Sequence, residues 1–153
     1  MKTLYMVVGA PGSGKTWVCS QLQYKFHLIH HDGFIYLKHP DPMAYVKEIL
    51  KEAPRATKPV LIEAPFSVSK TKEPLEKAGY KVETIYIIEN ERTHSQRYLE
   101  REKREGRWSE DKRRHLAGHL TRTKTYLERA KGDGSFHGTS SEVLEHMRNL
   151  KVV

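Results

Sequence analysis

The segment Gly9-Ala10-Pro11-Gly12-Ser13-Gly14-Lys15-Thr16 fits the pattern G-x-x-x-x-G-K-[ST]. An apolar run, Leu4 to Val8, comes before it as a strand would, and Val18, Leu22 and Phe26 follow it with the spacing of one helix face. A glycine-rich turn between a strand and a helix directs successive backbone N–H groups at phosphate oxygens, and the helix start adds partial positive charge. The sequence therefore predicts a nucleotide-binding phosphate loop over residues 9–16.

Two residues of the phosphate loop have more specific predicted roles. Lys15 is expected to reach the β- and γ-phosphates of a nucleoside triphosphate, and the Thr16 hydroxyl is expected to bind Mg²⁺. At average composition such a pattern arises by chance in about half a per cent of chains of this length. We therefore assign all eight residues to cofactor binding, with ATP and Mg²⁺ as the expected cofactors.

The composition predicts a single domain over residues 1–153. With 37% hydrophobic and 30% charged residues, a chain of this length buries roughly two-thirds of its unfolded surface. No apolar run approaches the ~20 residues needed to cross a bilayer, so no membrane partner is expected. Cys19 is the single cysteine, which excludes an internal disulfide and favours the reducing cytosol. We expect Cys19 to be a small core residue.

The positive charge is concentrated in one part of the chain. Residues 92–131 hold 13 Lys and Arg against 6 Asp and Glu, a net charge of +7 out of +8 for the whole chain. Charge that served only solubility would be spread evenly. A basic patch of this kind predicts an anionic partner, either nucleotide phosphates or nucleic acid.

Two carboxylates are predicted at the ends of strands. Asp32 follows a short strand over residues 27–30, and Glu63 ends the run Val60-Leu61-Ile62, which is apolar on both faces as a buried parallel strand is. Ligands of α/β folds bind at this edge of the sheet. Asp32 is therefore the leading candidate for a catalytic carboxylate, with a turn or cap residue before Gly33 as the alternative. Glu63 is a candidate for the magnesium site.

Four histidines lie close together in this part of the sequence and raise the question of a zinc site. Their spacing matches no compact metal-binding pattern, and no cysteine accompanies them, so surface or strand positions are favoured. His30 or His31, beside Asp32, is expected at most to help orient an acceptor. The four are His27, His30, His31 and His39.

Strands and helices alternate along the rest of the chain. We predict further strands over residues 60–64, 80–88 and 136–137, with helices over residues 42–53, 69–78, 90–105, 109–131 and 142–150. Such alternation predicts an α/β fold with three layers, in which a central parallel sheet of about five strands has helices on both faces. The first helix is expected to run from Trp17 to Phe26.

Three arginines of the long polar helix share one face, because Arg97, Arg101 and Arg104 are spaced at i, i+4 and i+7. They can converge on phosphates from that face. The alternative is a solvated charged face held by pairs such as Glu100 with Arg104. The concentration of positive charge favours a functional role.

Together these segments resemble small P-loop kinases, the group that includes the kinase domain of phage polynucleotide kinase, zeta-toxin-like kinases and gluconate-type kinases. The phosphate loop carries the most specific part of the resemblance, and a strand that leads to Asp32 adds to it. Residues 101–107, followed by Ser109-Glu110-Asp111, resemble the mobile arginine-rich lid of that group, which we place over about residues 97–122. Phe136-His137-Gly138-Thr139-Ser140 resembles the loop that holds the adenine ring.

The resemblance implies a role for each matching position. Lys15 would hold the phosphates, Thr16 would bind Mg²⁺ and Asp32 would act as general base. Arg101 and Arg104 would be lid arginines in contact with the transferring phosphate, and Arg97 would lie near the donor phosphates or the base. Gly138, Thr139 and Ser140 would contact the adenine. Relatives commonly close the third strand with Asp or Ser-Asp, whereas here Glu63 is followed by Ala64-Pro65, which leaves the role of Glu63 open.

The predicted activity is transfer of the γ-phosphate of ATP to a hydroxyl. A hydroxyl acceptor needs a base such as Asp32, and a nucleoside monophosphate does not. The basic patch favours a nucleotide or nucleic acid as acceptor, at a polynucleotide 5′-hydroxyl or at a hydroxymethyl base of the phage type. A kinase of small metabolites or nucleoside monophosphates is the alternative. From another class comes a nucleotide switch or NTPase without an acceptor. The oligomeric state is left open.

Overall fold

Five parallel strands form the centre of the molecule. The structure is a computed structural model, and it describes residues 2–10, 13–30, 42–64, 68–106 and 109–151. The strands lie in the order β2-β3-β1-β4-β5, and every neighbouring pair is parallel. The predicted parallel sheet of about five strands is confirmed. Their bounds are β1 Thr3–Val8, β2 His27–Ile29, β3 Val60–Glu63, β4 Lys81–Ile87 and β5 His137–Gly138.

The helices cover both faces of this sheet. They are α1 Lys15–Ser20, α2 Pro42–Glu52, α3 Val68–Lys77, α4 Glu91–Arg104, α5 Glu110–Asp133 and α6 Ser140–Asn149, with a short 3₁₀ turn at Ala53–Arg55. Alternate residues of β1 enter two separate cores. Leu4, Met6 and Val8 pack with α2, α3 and α5, and Tyr5 and Val7 pack with α1 and α6. The three-layer α/β architecture is therefore confirmed.

The central position of β1 brings the functional segments together. β1 lies between β3 and β4, with Val7 opposite Glu63 and Val8 opposite Tyr86. Both of its faces are covered, which accounts for its unbroken apolar sequence. The carboxyl ends of all three strands meet at one edge of the sheet, and the phosphate loop leaves β1 at that edge.

The first helix is shorter than its hydrophobic spacing predicts. α1 ends at Ser20, and tight turns continue to Lys25. The Gln21 N–H is shared between the carbonyls of Trp17 and Val18, both at 3.2 Å, so the helix narrows at its end. The prediction of a helix to Phe26 was wrong because the chain turns here to enter β2. The hydrophobic pattern survives, since Val18, Leu22 and Phe26 are all buried.

α4 and α5 form an antiparallel pair. Asn90 caps α4 by accepting a hydrogen bond from the Thr93 N–H at 2.8 Å. The Thr123 hydroxyl lies 3.4 Å from the buried His94, and the Tyr98 ring meets the His119 ring edge-on at 5.3 Å. Toward the end of α5, Tyr126 packs against Tyr86 of the sheet. The helix pair expected from the sequence is confirmed, and its closure as a lid stays a prediction.

None of the helices in the part of the chain that the structure describes is both long enough and apolar enough to span a membrane.

We expect the α4–α5 contact to weaken in acid. Burial, followed by the charge of Arg122, lowers the pKa of His119 from 6.5 to about 4, with smaller effects from His94, His115 and Arg101. A histidine that stays neutral in the folded chain but becomes protonated in the unfolded chain favours unfolding in acid. The unfolding free energy of the protein therefore falls as pH falls from about 6.5 toward 4. His119→Gln should therefore flatten the dependence of the unfolding free energy on pH, measured by urea titration at about pH 7.5 and about pH 5.

His137→Gln is the matched control, since this histidine is exposed at β5. It should keep the acid sensitivity of the parent protein. If His119→Gln and the parent lose the same free energy between the two pH values, His119 does not account for the acid sensitivity.

Candidate active site

The phosphate loop turns sharply from β1 into α1. The Ser13 N–H donates to the Ala10 carbonyl at 3.0 Å, and Gly14 has a φ of 95°, in the left-handed region. A Cβ atom at Gly14 would lie 3.0 Å from Ser140 Cβ and 3.1 Å from Arg97 Nη1. Glycine is required at this position for two reasons, the backbone conformation and the close approach of α4 and α6.

The last two residues of the phosphate loop, Lys15 and Thr16, contact the end of β3. The Thr16 hydroxyl donates to Glu63 Oε1 at 3.1 Å, and the Lys15 ammonium donates to the Ala64 carbonyl at 3.0 Å. Thr16 and Glu63 are 47 residues apart in sequence. The structure thus brings together the two residues that the sequence predicted as magnesium ligands.

Glu63 is held in place from a second side. Its side chain is only 2% exposed, and Oε2 lies 2.9 Å from Nδ1 of His30. A carboxylate oxygen accepts hydrogen bonds, so Nδ1 is the donor here. The Tyr45 hydroxyl lies 2.8 Å from the Glu63 carbonyl and 3.1 Å from the Ile29 carbonyl, and its single proton is shared between them. This contact fixes the end of β3 beside the end of β2.

The residues present fit a magnesium ion with a bound triphosphate. A hydroxyl and a carboxylate next to each other are the oxygen ligands that Mg²⁺ uses beside phosphates. The Ser13 hydroxyl is buried and has no hydrogen-bond partner among the described residues, as expected of a polar atom that faces a ligand. Thr16 and Glu63 would hold the metal, and Lys15 lies within reach of the same place.

Arg97 approaches the phosphate loop from α4. Its Nη1 donates to the Ser13 carbonyl at 3.2 Å, to Glu89 Oε1 at 3.2 Å and to the Ser140 hydroxyl at 3.4 Å. The sequence resemblance placed Arg97 near the donor phosphates or the base, without naming a partner. Glu89 was missed, although it follows an apolar strand just as Glu63 does.

Arg101 and Arg104 are not brought to the same place as Arg97. Each residue of a helix rises 1.5 Å, so these side chains start about 6 Å and about 10 Å further along α4. Arg101 lies against the Tyr98 ring at 5.9 Å and reaches the Glu102 carboxylate at 3.9 Å. Arg104 is exposed at the end of the helix. Convergence of all three arginines is therefore not a property of this conformation, and a lid role for Arg101 and Arg104 stays a prediction.

The segment predicted to hold adenine has a structural role. Thr139 begins α6 with a capping box, in which Glu142 Oε1 accepts from the Thr139 N–H at 2.9 Å. Ser140 is 1% exposed, and its hydroxyl and its N–H both donate to Glu89. The side chains of Thr139 and Ser140 are thus engaged within the chain. Contact of Gly138, Thr139 and Ser140 with adenine stays a prediction.

Some predicted residues lie outside the described part of the chain. They are Pro11 and Gly12 of the phosphate loop, the general-base candidate Asp32, and two of the clustered histidines, His31 and His39. Over the described ranges, no group of three or more His, Cys, Asp or Glu side chains is arranged to hold a metal ion.

Cys19 lies in the core beneath the phosphate loop. The side chain is 0% exposed, which confirms the predicted core position. Burial, and to a smaller degree the Glu63 carboxylate, raise the pKa of the Cys19 thiol, and the Lys15 ammonium lowers it only in part. The thiol is therefore protonated and unreactive in the folded protein.

Several solved structures share this fold. A gluconokinase from Sinorhizobium meliloti 1021 is 15% identical over 94% of this chain and 87% of its own, with a TM-score of 0.54. A shikimate kinase from Acinetobacter baumannii, in complex with shikimate, is 14% identical over 99% and 96%, also with a TM-score of 0.54. An uncharacterized protein from Eubacterium ventriosum ATCC 27560 is 16% identical over 82% and 76%, with a TM-score of 0.50.

No model of a known protein family and no curated protein sequence matches the chain. At such low identities the structural neighbours establish the fold. The chain has the fold of the small P-loop kinases, as its sequence resemblance predicted. A specific likeness to phage polynucleotide kinase stays a prediction.

We expect Glu63→Gln to weaken magnesium-dependent nucleotide binding. The amide can still accept from Thr16 but lacks the charge that attracts the ion. Loss of such a group typically lowers metal affinity about ten- to hundredfold. Calorimetric titration of ATP at increasing Mg²⁺ should show this shift, while ATP affinity measured in EDTA should stay near that of the parent.

Glu76→Gln provides the control, because it removes an exposed carboxylate from α3. It should leave the magnesium dependence unchanged. If Glu63→Gln also leaves it unchanged, Glu63 is a structural residue of β3 and not part of a magnesium site.

Proposed function

We propose that the protein is a kinase that transfers the γ-phosphate of ATP to an alcohol hydroxyl. The observation that carries the proposal is the contact of Thr16 with Glu63, beside Lys15, at the edge where the phosphate loop leaves the sheet. A structural turn would not need a hydroxyl, a buried carboxylate and an ammonium at one place. This set matches what phosphoryl transfer requires, which is chiefly positioning and neutralisation of charge.

The proposed reaction moves one phosphoryl group and one proton. The acceptor oxygen forms a bond to the γ-phosphorus, the bond from the γ-phosphorus to the β-phosphate oxygen breaks, and ADP leaves. Asp32 takes the acceptor's proton. Lys15 leaves the Ala64 carbonyl and binds the β- and γ-phosphates. Arg97 binds the donor nucleotide, ATP, near the phosphate loop. When bound, Mg²⁺ neutralises charge on the phosphate oxygens. Arg101 and Arg104 approach the transferring phosphate if the α4–α5 pair closes.

We favour a nucleotide or nucleic acid as the acceptor. The support is the charge of the α4–α5 pair, where many basic side chains are exposed and give the surface a positive potential that attracts an anionic partner. A 5′-hydroxyl of a polynucleotide and a hydroxymethyl group on a base both fit this acceptor class. Besides Arg97, which contacts Glu89, the exposed basic residues are Arg92, Lys103, Arg104, Arg113, Arg114, Lys124, Arg129 and Lys131.

A kinase of a small metabolite is the second candidate. It is favoured by the names of two fold neighbours, a gluconokinase and a shikimate kinase. Such an acceptor would bind without the exposed charges of α5. Acceptor binding should therefore depend steeply on salt for a nucleic-acid kinase and only weakly for a small-metabolite kinase. Under either candidate the single cysteine fits a place in the reducing cytosol.

We expect Asp32→Asn to lower turnover roughly 10²-fold or more, since loss of a general base typically costs 10²–10⁴. ATP affinity should change little, because the base acts on the acceptor. Transfer from γ-labelled ATP to a panel of DNA, RNA, nucleosides, nucleoside monophosphates and sugars measures the activity and identifies the acceptor.

Lys15→Ala is the negative control of this assay and should abolish transfer without unfolding the protein. Full turnover in a folded Lys15→Ala variant would exclude the proposed reaction. Tight ATP binding with no transfer to any acceptor would favour a nucleotide switch. A loss of ATP affinity in Asp32→Asn would mean that Asp32 acts on the donor side.

We expect the double variant Arg113→Ala/Arg114→Ala to weaken binding of an oligonucleotide and to flatten its salt dependence by up to about one unit of slope for each lost phosphate contact. Turnover of a mononucleoside acceptor should be unchanged. The measurement is steady-state kinetics on both acceptors at two salt concentrations.

Lys70→Ala/Lys77→Ala is the matched control, since it removes the same charge from two exposed positions on α3. If the two double variants behave alike on the oligonucleotide, the basic surface of α5 is only solvated and the small-metabolite kinase becomes the better candidate.

A further inference from the structure

A second buried carboxylate lies beside the phosphate loop, just beyond β4. Glu89 has a side chain only 5% exposed. Its Oε1 accepts from the Ser140 N–H at 2.7 Å, from the Ser140 hydroxyl at 2.6 Å and from Arg97 Nη1 at 3.2 Å. One oxygen atom therefore connects β4, α4 and α6.

The need to cap the start of α6 does not explain why residue 89 carries a charge. The capping box of Thr139 and Glu142 satisfies the N–H groups of these two residues and leaves the Ser140 N–H to Glu89. The Ser140 donors are neutral, and a neutral acceptor would satisfy them. A buried negative charge is costly unless a positive charge faces it, and in the described part of the chain Arg97 is the cation that Glu89 contacts.

Arg97 needs a partner in order to face the phosphate loop. Its side chain is 43% exposed, and a long, exposed side chain loses conformational entropy when it is held in one position. Glu89 holds the same Nη1 atom that donates to the Ser13 carbonyl. That atom also lies 3.1 Å from where a Cβ of Gly14 would be, so the arginine is packed against the loop itself.

We propose that Glu89 is a positioning residue for the donor nucleotide, which holds Arg97 and the start of α6 against the phosphate loop. The inference rests on the proposed function, because Arg97 serves a donor nucleotide only if the chain binds one. Glu89 acts through Arg97 and does not itself contact the phosphates, since a carboxylate in direct contact would repel them.

A double-mutant cycle on ATP affinity tests this role. Glu89→Gln keeps the shape and an acceptor oxygen for Ser140 but removes the charge that holds Arg97. Glu89→Gln and Arg97→Ala should each raise the ATP dissociation constant about tenfold. The double variant should bind no more weakly than Arg97→Ala alone, because the carboxylate then has nothing to position.

Two results would overturn the proposal. One is an ATP affinity in Glu89→Gln that does not fall: an unchanged affinity would mean that the carboxylate does not position Arg97, and a tighter one would mean that it only repels the nucleotide. The other is additivity, with the double variant weaker by the product of the two effects. If Glu89 served folding alone, the effect of Glu89→Gln on ATP affinity would be the same with or without Arg97, and the two effects would be additive.

Thr84→Val controls for damage to the strand, since Thr84 is a buried polar residue of β4. It should leave the ATP dissociation constant unchanged. If Glu89→Gln does not fold at the working temperature, the cycle is repeated with Glu89→Asp, which keeps the charge but withdraws it from Arg97. Non-additivity with Arg97→Ala is expected again, and additivity would overturn the proposal.

ATP affinity is measured without an acceptor, so failure of the proposed function can be distinguished from failure of the role of Glu89. A parent protein that binds no ATP contradicts the proposed function. A parent that binds ATP and gives an additive cycle contradicts only the role of Glu89.

Discussion

A carboxylate that is almost completely buried must be met by donors, and at Glu63 this requirement connects the separate parts of the active site. The Thr16 hydroxyl comes from the phosphate loop and the His30 ring from the end of β2. The Tyr45 hydroxyl reaches the backbone of Glu63 from α2. Loss of the carboxylate would leave the Thr16 hydroxyl and the His30 ring without this partner, so the geometry of the loop depends on a residue that is not part of it.

Glu89 has the corresponding position on the other side of β1. β3 and β4 flank the central strand, and a buried glutamate stands at or just beyond the end of each. Glu63 contacts the hydroxyl that ends the phosphate loop motif, and Glu89 contacts the arginine that packs on its last glycine. The loop is thus held between two carboxylates, one on the side of β3 and one on the side of β4. Pairing with Thr16, His30, Arg97 and Ser140 offsets the cost of burying them.

The sequence could predict this fold because its strongest signals are local. The phosphate loop motif and the apolar strands on either side of it identify β1, and strands that are apolar on both faces indicate a parallel sheet. Parallel strands end at one edge, which explains why the meeting of Thr16 and Glu63 was predictable. The length of α1 was not, because the turn into β2 depends on where β2 lies in the sheet.

Glu89 was missed for a different reason. Its partner Ser140 is 51 residues away in sequence, and no spacing rule connects a strand-ending glutamate to a serine at the start of a distant helix. A signal was nevertheless present, since Ile87-Ile88-Glu89 repeats the ending Leu61-Ile62-Glu63. An acid after a buried parallel strand is at the ligand edge wherever it occurs. The same rule that selected Glu63 would have selected Glu89.

The position of Cys19 gives the protein an internal reporter. It is the single cysteine, it is buried on the side of α1 that faces the core, and its thiol is protonated. A thiol-reactive dye can modify it only during moments when α1 separates from the sheet. The rate of labelling therefore measures the opening equilibrium of the segment that carries Lys15 and Thr16. No residue needs to be replaced for this measurement. A ligand that stabilises the loop would lower the rate at which the dye labels Cys19.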